Sequence, residues 1–205
     1  MLIFSNNCAS GHLYKQLGIK YNQPFPFGHF CWNEFENEDE KNILNGYYNF
    51  ISEYDKVNLS DFNVEKSKEL KVLLFDFGNF KFRFSHYLFE IGHKMTLKEN
   101  GIDLGGDDAM NYTYDCFIRR FNRMPNEEPI FILHLNKSYP DTEETIKRFI
   151  NLNRKMIIIC RHKVNFEYAK KYETEKIIVL ANFNDNVKKA ISSNINAIKT
   201  YIASK

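Results

Sequence analysis

The residue in this sequence best suited to covalent chemistry is Cys8. It stands in Leu2-Ile-Phe-Ser-Asn-Asn-Cys-Ala-Ser-Gly-His-Leu-Tyr-Lys-Gln-Leu, which runs from an apolar strand through a polar turn into a helix. In an open α/β sheet, ligands gather where strands end and helices begin, and a thiol placed there feels the helix N-terminal dipole, which favours thiolate. Cysteine is also among the most buried residue types, so packing alone explains Cys8 unless a base is found beside it. His86 is a candidate histidine. Phe80-Lys-Phe-Arg-Phe-Ser-His alternates strictly, with Phe80, Phe82 and Phe84 on one face, and His86 falls in phase with them. A histidine there is either a core residue with one satisfied nitrogen or a base facing a pocket.

Further polar groups follow the ends of apolar runs. Pro129-Ile-Phe-Ile-Leu-His-Leu, Lys155-Met-Ile-Ile-Ile-Cys and Lys176-Ile-Ile-Val-Leu-Ala are continuous and of strand length. If these strands and the first one are parallel, Asn6, Asn7 and Cys8, then His134, Asn136 and Lys137, then Arg161 and His162, then Asn182, Asn184 and Asp185 share one rim. Polar groups converging there suit a small-molecule or carbohydrate substrate, with Asn6, Asn7, His134, Asn136, Lys137, Arg161 and His162 as candidate binding residues. Loops are polar everywhere, however, and Asn at a strand exit often caps the next helix; Asn184 or Asp185 suits that role.

The elements that position these groups follow from periodicity. Leu13 and Leu17 lie four apart in a helix from Ser10 to Leu17, with Gly18 as its stop. Tyr21 to Trp32 holds two prolines and a glycine, which read as an irregular aromatic loop. Asn33 to Ser60 is spaced for one or two helices, and Leu59 to Lys68 reads as a connection. Lys71 to Phe77 and Phe80 to His86 form a hairpin about Gly78-Asn79. Glu99 to Asp108 reads as an acidic loop without a calcium-loop pattern, followed by a helix from Ala109 or Asn111 to Arg123. Helices at Asp141 to Asn151, Phe166 to Tyr172 and Asn186 to Ala203 alternate with the last strands, and Asp141 with Glu144 resembles a capping box. This grammar predicts an α/β fold: a three-layer, mostly parallel, Rossmann-like sheet with helices on both faces and a β-hairpin near residues 71–86. All 205 residues are read as a single domain with a helical and loop insertion at about 21–68.

Bulk properties narrow the function. A net charge of +2, from 28 basic and 26 acidic residues, gives no electrostatic footprint for nucleic acid or an anionic membrane. The 19 Phe and 12 Tyr point to an aromatic core. Four cysteines, at 8, 31, 116 and 160, have neither zinc-site spacing nor the density of a disulfide scaffold, so a reduced, cytoplasmic chain without a bound metal is expected. No run has the pattern of a signal peptide or a membrane span. Neither a GxGxxG nor a GxxxxGK[ST] follows any strand, so no nucleotide fingerprint is present and no cofactor is implied.

The opening residues carry a resemblance. Ser5-Asn-Asn-Cys, the following Leu-Tyr-Lys-Gln-Leu-Gly and Pro24-Phe-Pro-Phe are similar to a bacterial family of papain-like cysteine peptidases, and to a related exopolysaccharide-biosynthesis family with an Asn-Asn-Cys start and a Tyr-Asn-x-Pro-Phe loop. Phe84-Ser-His86 resembles the first family's histidine motif, and Arg119-Arg120-Phe121 its arginine-containing helix. The resemblance implies Cys8 as nucleophile with His86 as its base, backbone N–H groups at the helix start holding the oxyanion, and Asn6 or Asn7 adding a side-chain donor. Tyr87 stands where an acidic residue is expected, leaving Asp76, Asp103 and Asp107 as groups that could orient His86. A parallel α/β sheet is not a papain fold, so the resemblance bears on the Cys–His pair more than on a peptide substrate. Three functions follow as expectations: a cysteine-dependent acyl hydrolase or acyltransferase linked to bacterial surface polysaccharide; a sugar-nucleotide-binding or glycosyltransferase-like protein in which Cys8 only packs; and a non-enzymatic accessory protein of polysaccharide assembly.

Overall fold

The computed structural model describes all residues except 8, 21–23, 25–27, 33–38, 68–71, 85–89, 92–93, 96–105, 138–140, 184–185 and 205. In chain order the elements are β1 (Ile3–Ser5), α1 (Ala9–Leu17), β2 (Gly28–Cys31), α2 (Glu40–Glu53), two 3-10 turns, β3 (Asn63–Ser67), β4 (Val72–Asp76), β5 (Lys81–Phe84), β6 (Glu90–Ile91), β7 (Lys94–Met95) and α3 (Gly106–Phe121). They continue with β8 (Ile130–Leu135), α4 (Thr142–Asn151), β9 (Met156–Cys160), α5 (Lys163–Lys170), β10 (Ile177–Ala181), α6 (Val187–Ser193) and α7 (Ile195–Ala203). The chain divides into two compact units: Met1–Tyr21 with Asn126–Lys205, and Asn22–Pro125.

The first unit is the α/β layer structure that the alternating grammar predicts. Its sheet is parallel throughout, in the order β1-β8-β9-β10. Strands β8 and β9 are buried at every residue, which is why they read as continuous apolar runs. Ile3, Ile130, Ile132, Ile157, Ile159 and Leu180 share one face and pack on Leu13 and Tyr14 of α1, Ala190 and Ile191 of α6, and Ile198 of α7. By strand alternation Phe4, Phe131, Leu133, Met156 and Ile158 face the opposite way. There Phe4 stacks on Phe131 at 5.9 Å, and α5 packs on β9 and β10. Gly18 ends α1 at φ 65°, a left-handed conformation that glycine adopts without strain.

The outer edge of β1 is closed by a side chain. Tyr14, fully buried, accepts from the Ile3 N–H at 3.0 Å and donates to the Met1 carbonyl at 3.2 Å. Tyr14→Phe therefore orphans a buried N–H, and urea unfolding should show a loss of about 1–2 kcal/mol.

Two helix details differ from expectation. The segment Asn186 to Ala203 forms two helices, because Asn194 turns its amide back onto the Ala190 carbonyl at 2.8 Å and offers the backbone an alternative to continuation. Asp141 holds the N-cap position of α4 with φ −97° and ψ 12°, and its side chain makes no cap hydrogen bond, so the capping box does not form. The cap of α6 is Asn186, whose Oδ1 accepts from Lys189 N at 3.1 Å.

In the second unit, the hairpin β4–β5 belongs to a separate antiparallel sheet of order β2-β5-β4-β3. Its turn is the expected Gly78-Asn79, with Gly78 at φ 90° and its N–H held by Asp76 Oδ1 at 2.8 Å. The irregular loop expected from Tyr21 to Trp32 ends in strand β2. Both prolines precede the strand, so no N–H is missing from its ladder with β5. Strand β3 occupies much of the expected connection at Leu59 to Lys68; as an edge strand it carries exposed Asn63 and Glu65, and its polarity hides it from a reading of apolar runs. Helix α3 begins at Gly106, inside the expected acidic loop, where aspartates suit a first turn. The core is aromatic: Phe30 lies 4.4 Å from Phe50 and 4.9 Å from Phe82, and Phe75 lies 4.2 Å from Phe117. Among the described residues, no helix is long and apolar enough to cross a membrane.

Candidate functional site

The carboxyl edge of the parallel sheet is built around His134, the fifth residue of β8. Strand alternation puts it on the face that packs α1, and it is only 5% exposed. Its backbone is met by Asn6. The Asn6 amide donates to the His134 carbonyl at 2.9 Å, and Asn6 Oδ1 accepts from the His134 N–H at 2.8 Å. The paired residues of β1 and β8 end at Ser5 and Ile132, so this side chain continues the ladder where the main chain turns away.

Asn7 holds the ring. Its Oδ1 accepts from Ala9 N at 2.9 Å, which fixes the amide and turns Nδ2 toward His134 Nδ1. Because Nδ2 donates, Nδ1 accepts, and the neutral imidazole carries its proton on Nε2. His134 Nε2 is buried and has no hydrogen-bond partner among the described residues. Burial, with Arg161 as a second cause, pushes the His134 pKa down to about 4, so the ring is neutral near pH 7. On the helix side, Ser5 Oγ accepts from Ser10 N at 3.0 Å and donates to the Asn7 carbonyl, while the two serine hydroxyls lie 2.9 Å apart. The start of α1 is thus bound to the end of β1 by side chains on both sides of position 8.

The remaining rim residues meet in pairs. His162 Nε2 donates to the Asn136 carbonyl at 2.9 Å, and Asn165, fully buried, donates to the Lys137 carbonyl at 2.8 Å. These two bonds tie the exit of β8 to the start of α5. The Arg161 N–H continues the ladder to Leu135 at 3.0 Å, and that of Asn182 continues it to Cys160 at 2.8 Å.

No family model matches this chain, and no curated protein sequence matches it either.

The geometry therefore stands on the residues alone. It brings Asn6, Asn7 and His134 into one network, with Arg161 close enough to be felt by the ring, and it joins Asn136 to His162 and Lys137 to Asn165. Cys8, His86, Asn184 and Asp185 lie outside the described residues, as do Tyr87 and Asp103. Asp76, one of the carboxylates considered for His86, is engaged with the Gly78 N–H and with Lys81 at 3.4 Å. Of the other thiols, Cys160 is buried and its pKa is pushed up to about 12 by that burial, which makes it inert. Nothing in the sequence marks Ser5, Ser10 or Asn165 as members of the rim. Serines around a turn signal a cap at most, and Asn165 shows itself only as a polar residue on an otherwise buried helical position.

Proposed function

We propose that this protein is a cysteine-dependent acyl hydrolase or acyltransferase, with the Cys8 thiol as nucleophile and His86 as its base, acting on a carbohydrate-bearing substrate of surface-polysaccharide biosynthesis. One observation supports this reading above the others: both chain neighbours of position 8 are tied down at a strand-to-helix turn, by the bonds of Asn7 Oδ1 to Ala9 and of Ser5 Oγ to Ser10. A nucleophile gains from such a turn because its neighbours do not reorganise during attack. His86 takes the thiol proton, the thiolate adds to the acyl carbon, and the imidazolium returns the proton to the departing alcohol or amine. Water or a second hydroxyl then attacks the thioester, its proton passing to His86 and on to the released thiolate.

The bonds around position 8 bear on which donors we propose for the oxyanion. The N–H groups of Ala9 and Ser10 are already bonded to Asn7 and Ser5, and the amides of Asn6 and Asn7 are engaged with His134. In this reading the Nε2–H of His134, buried and without a partner among the described residues, is the side-chain donor proposed for the oxyanion, a neutral imidazole acting as electrophile.

The test is the pH profile of Cys8 alkylation by iodoacetamide, read by peptide mass spectrometry, with Cys160 as an internal inert thiol. The expected result is an apparent Cys8 pKa well below the ordinary value of about 8.5. His86→Ala should raise that pKa and slow alkylation in mildly acidic buffer by about tenfold. A Cys8 as unreactive as Cys160, or one indifferent to His86, overturns the proposal.

A further inference from the structure

The first unit contains a cavity of about 820 Å³ where β10 leaves the sheet and along the flank of α6. Its walls include Asn182, Phe183, Asn186, Lys188 and Lys189. The volume falls within the range of small-molecule sites, and the carboxyl end of a parallel strand is where open α/β sheets take their ligands.

Three observations define the chemistry that would fill it. Lys188 and Lys189 make no ion pair with any described residue, and the Lys188 charge is felt across the α1–α6 contact by His12, whose pKa is lowered first by burial and then by Lys188. Asn182 is only 4% exposed, yet its amide Nδ2 has no hydrogen-bond partner among the described residues. A buried N–H without an acceptor is destabilising, which makes it a feature that a ligand oxygen would relieve. Phe183 is 52% exposed although it is aromatic, and it is braced edge-on by Phe166 at 5.9 Å, so it offers one flat apolar surface at the rim.

The polar groups that do not contribute sharpen this. The Lys189 N–H at the start of α6 is taken by the Asn186 side chain. Ser192 and Ser193 turn their hydroxyls back to the Lys188 and Lys189 carbonyls, each at 2.9 Å. Recognition therefore falls to two ammonium groups and one amide, all donors. Compact dianions with several acceptor oxygens satisfy such a set better than a single carboxylate does.

We infer that this cavity binds the phosphoryl group of a phosphorylated ring compound, through Lys188, Lys189 and the Asn182 amide, with the ring lying on Phe183. The inference rests on residues other than Cys8 and holds whether or not that thiol is a nucleophile. Two sources share the chemistry, a nucleoside diphosphate and a sugar phosphate, and both serve as probes.

The experiment is isothermal titration of the full chain, at low ionic strength, with uridine diphosphate, glucose 1-phosphate and inorganic pyrophosphate, beside K188Q/K189Q and Phe183→Ala. One saturable site is expected for at least one ring-bearing phosphate, which names the source. Its affinity should fall about tenfold or more in K188Q/K189Q and with added salt. Phe183→Ala, at an exposed position, should weaken the ring-bearing probe and leave pyrophosphate unchanged. Absence of binding at millimolar probe overturns the inference, and so does binding that K188Q/K189Q retains in full. Cys8 alkylation run on the same variants stays at the unmodified rate, so failure here and failure of the nucleophile reading are separable.

Discussion

Replacing Asn6 by leucine should destabilise the folded chain by roughly 2–6 kcal/mol, the sum of two orphaned backbone groups at about 1–3 kcal/mol each. Asn6 is 3% exposed, and its side chain meets both the His134 N–H and the His134 carbonyl. Leucine keeps the branched skeleton of the asparagine side chain but is bulkier, so the change leaves no cavity and adds some crowding to the loss of the two hydrogen bonds. Asn6→Asp separates the two bonds. A carboxylate still accepts from the His134 N–H but sets a negative charge against the carbonyl oxygen, so this variant should be less stable than wild type and should recover part of the loss in acid, where the acid form donates again. Urea unfolding at neutral pH checks both. A loss below about 1 kcal/mol in Asn6→Leu would show that water replaces the amide at the end of β1, and would remove Asn6 from the network that holds the turn.

This residue also shows where reading the sequence stops. The strands of the first unit are legible because β8, β9 and β10 are buried on both faces and therefore apolar at nearly every position, and the rim is legible because polar residues follow each run at once. That Asn6 grips the backbone of His134 is not legible, since the two are 128 positions apart and their meeting depends on the parallel register of β1 on β8. The same holds for the tautomer of His134, which follows from the orientation of the Asn7 amide and from nothing in the local sequence. Strand β3 escapes such a reading because an edge strand has one apolar residue, Val64, between polar ones. The break at Asn194 escapes it because a side-chain amide competes with the helix at a position where the apolar period continues through Ile195 and Ile198. The aromatic composition points correctly to core, but only the structure divides it, placing Phe30, Phe50, Phe75 and Phe82 in the second unit and Phe4 with Phe131 in the first.

The stability of the chain should rise with pH between about 4 and 6.5, and His134 should account for roughly 3 kcal/mol of that rise. The unfolded chain holds this imidazole at its ordinary 6.5, whereas the folded chain holds it at about 4, burial being the larger cause and Arg161 the smaller. Between those values the unfolded state binds a proton that the folded state does not, so unfolding is favoured as pH falls; above 6.5 both forms are neutral and the contribution is complete. The slope for one such proton is about 1.4 kcal/mol per pH unit. His12, also lowered by burial and by Lys188 and Lys15, acts in the same direction, and carboxylates titrate at the acid end. His134→Gln therefore serves as the reference, since it is neutral throughout, and its stability profile should be shallower than wild type by roughly 1 kcal/mol per pH unit. Equal slopes would mean that the ring is open to water and that its environment does not hold it neutral. The consequence reaches the turn at position 8. Once Nδ1 is protonated it faces Asn7 Nδ2 donor to donor, so acid releases the amide that also caps Ala9, and the strand-to-helix turn loses the contact that couples it to β8. Chemistry at that turn should therefore fail in acid before the sheet unfolds.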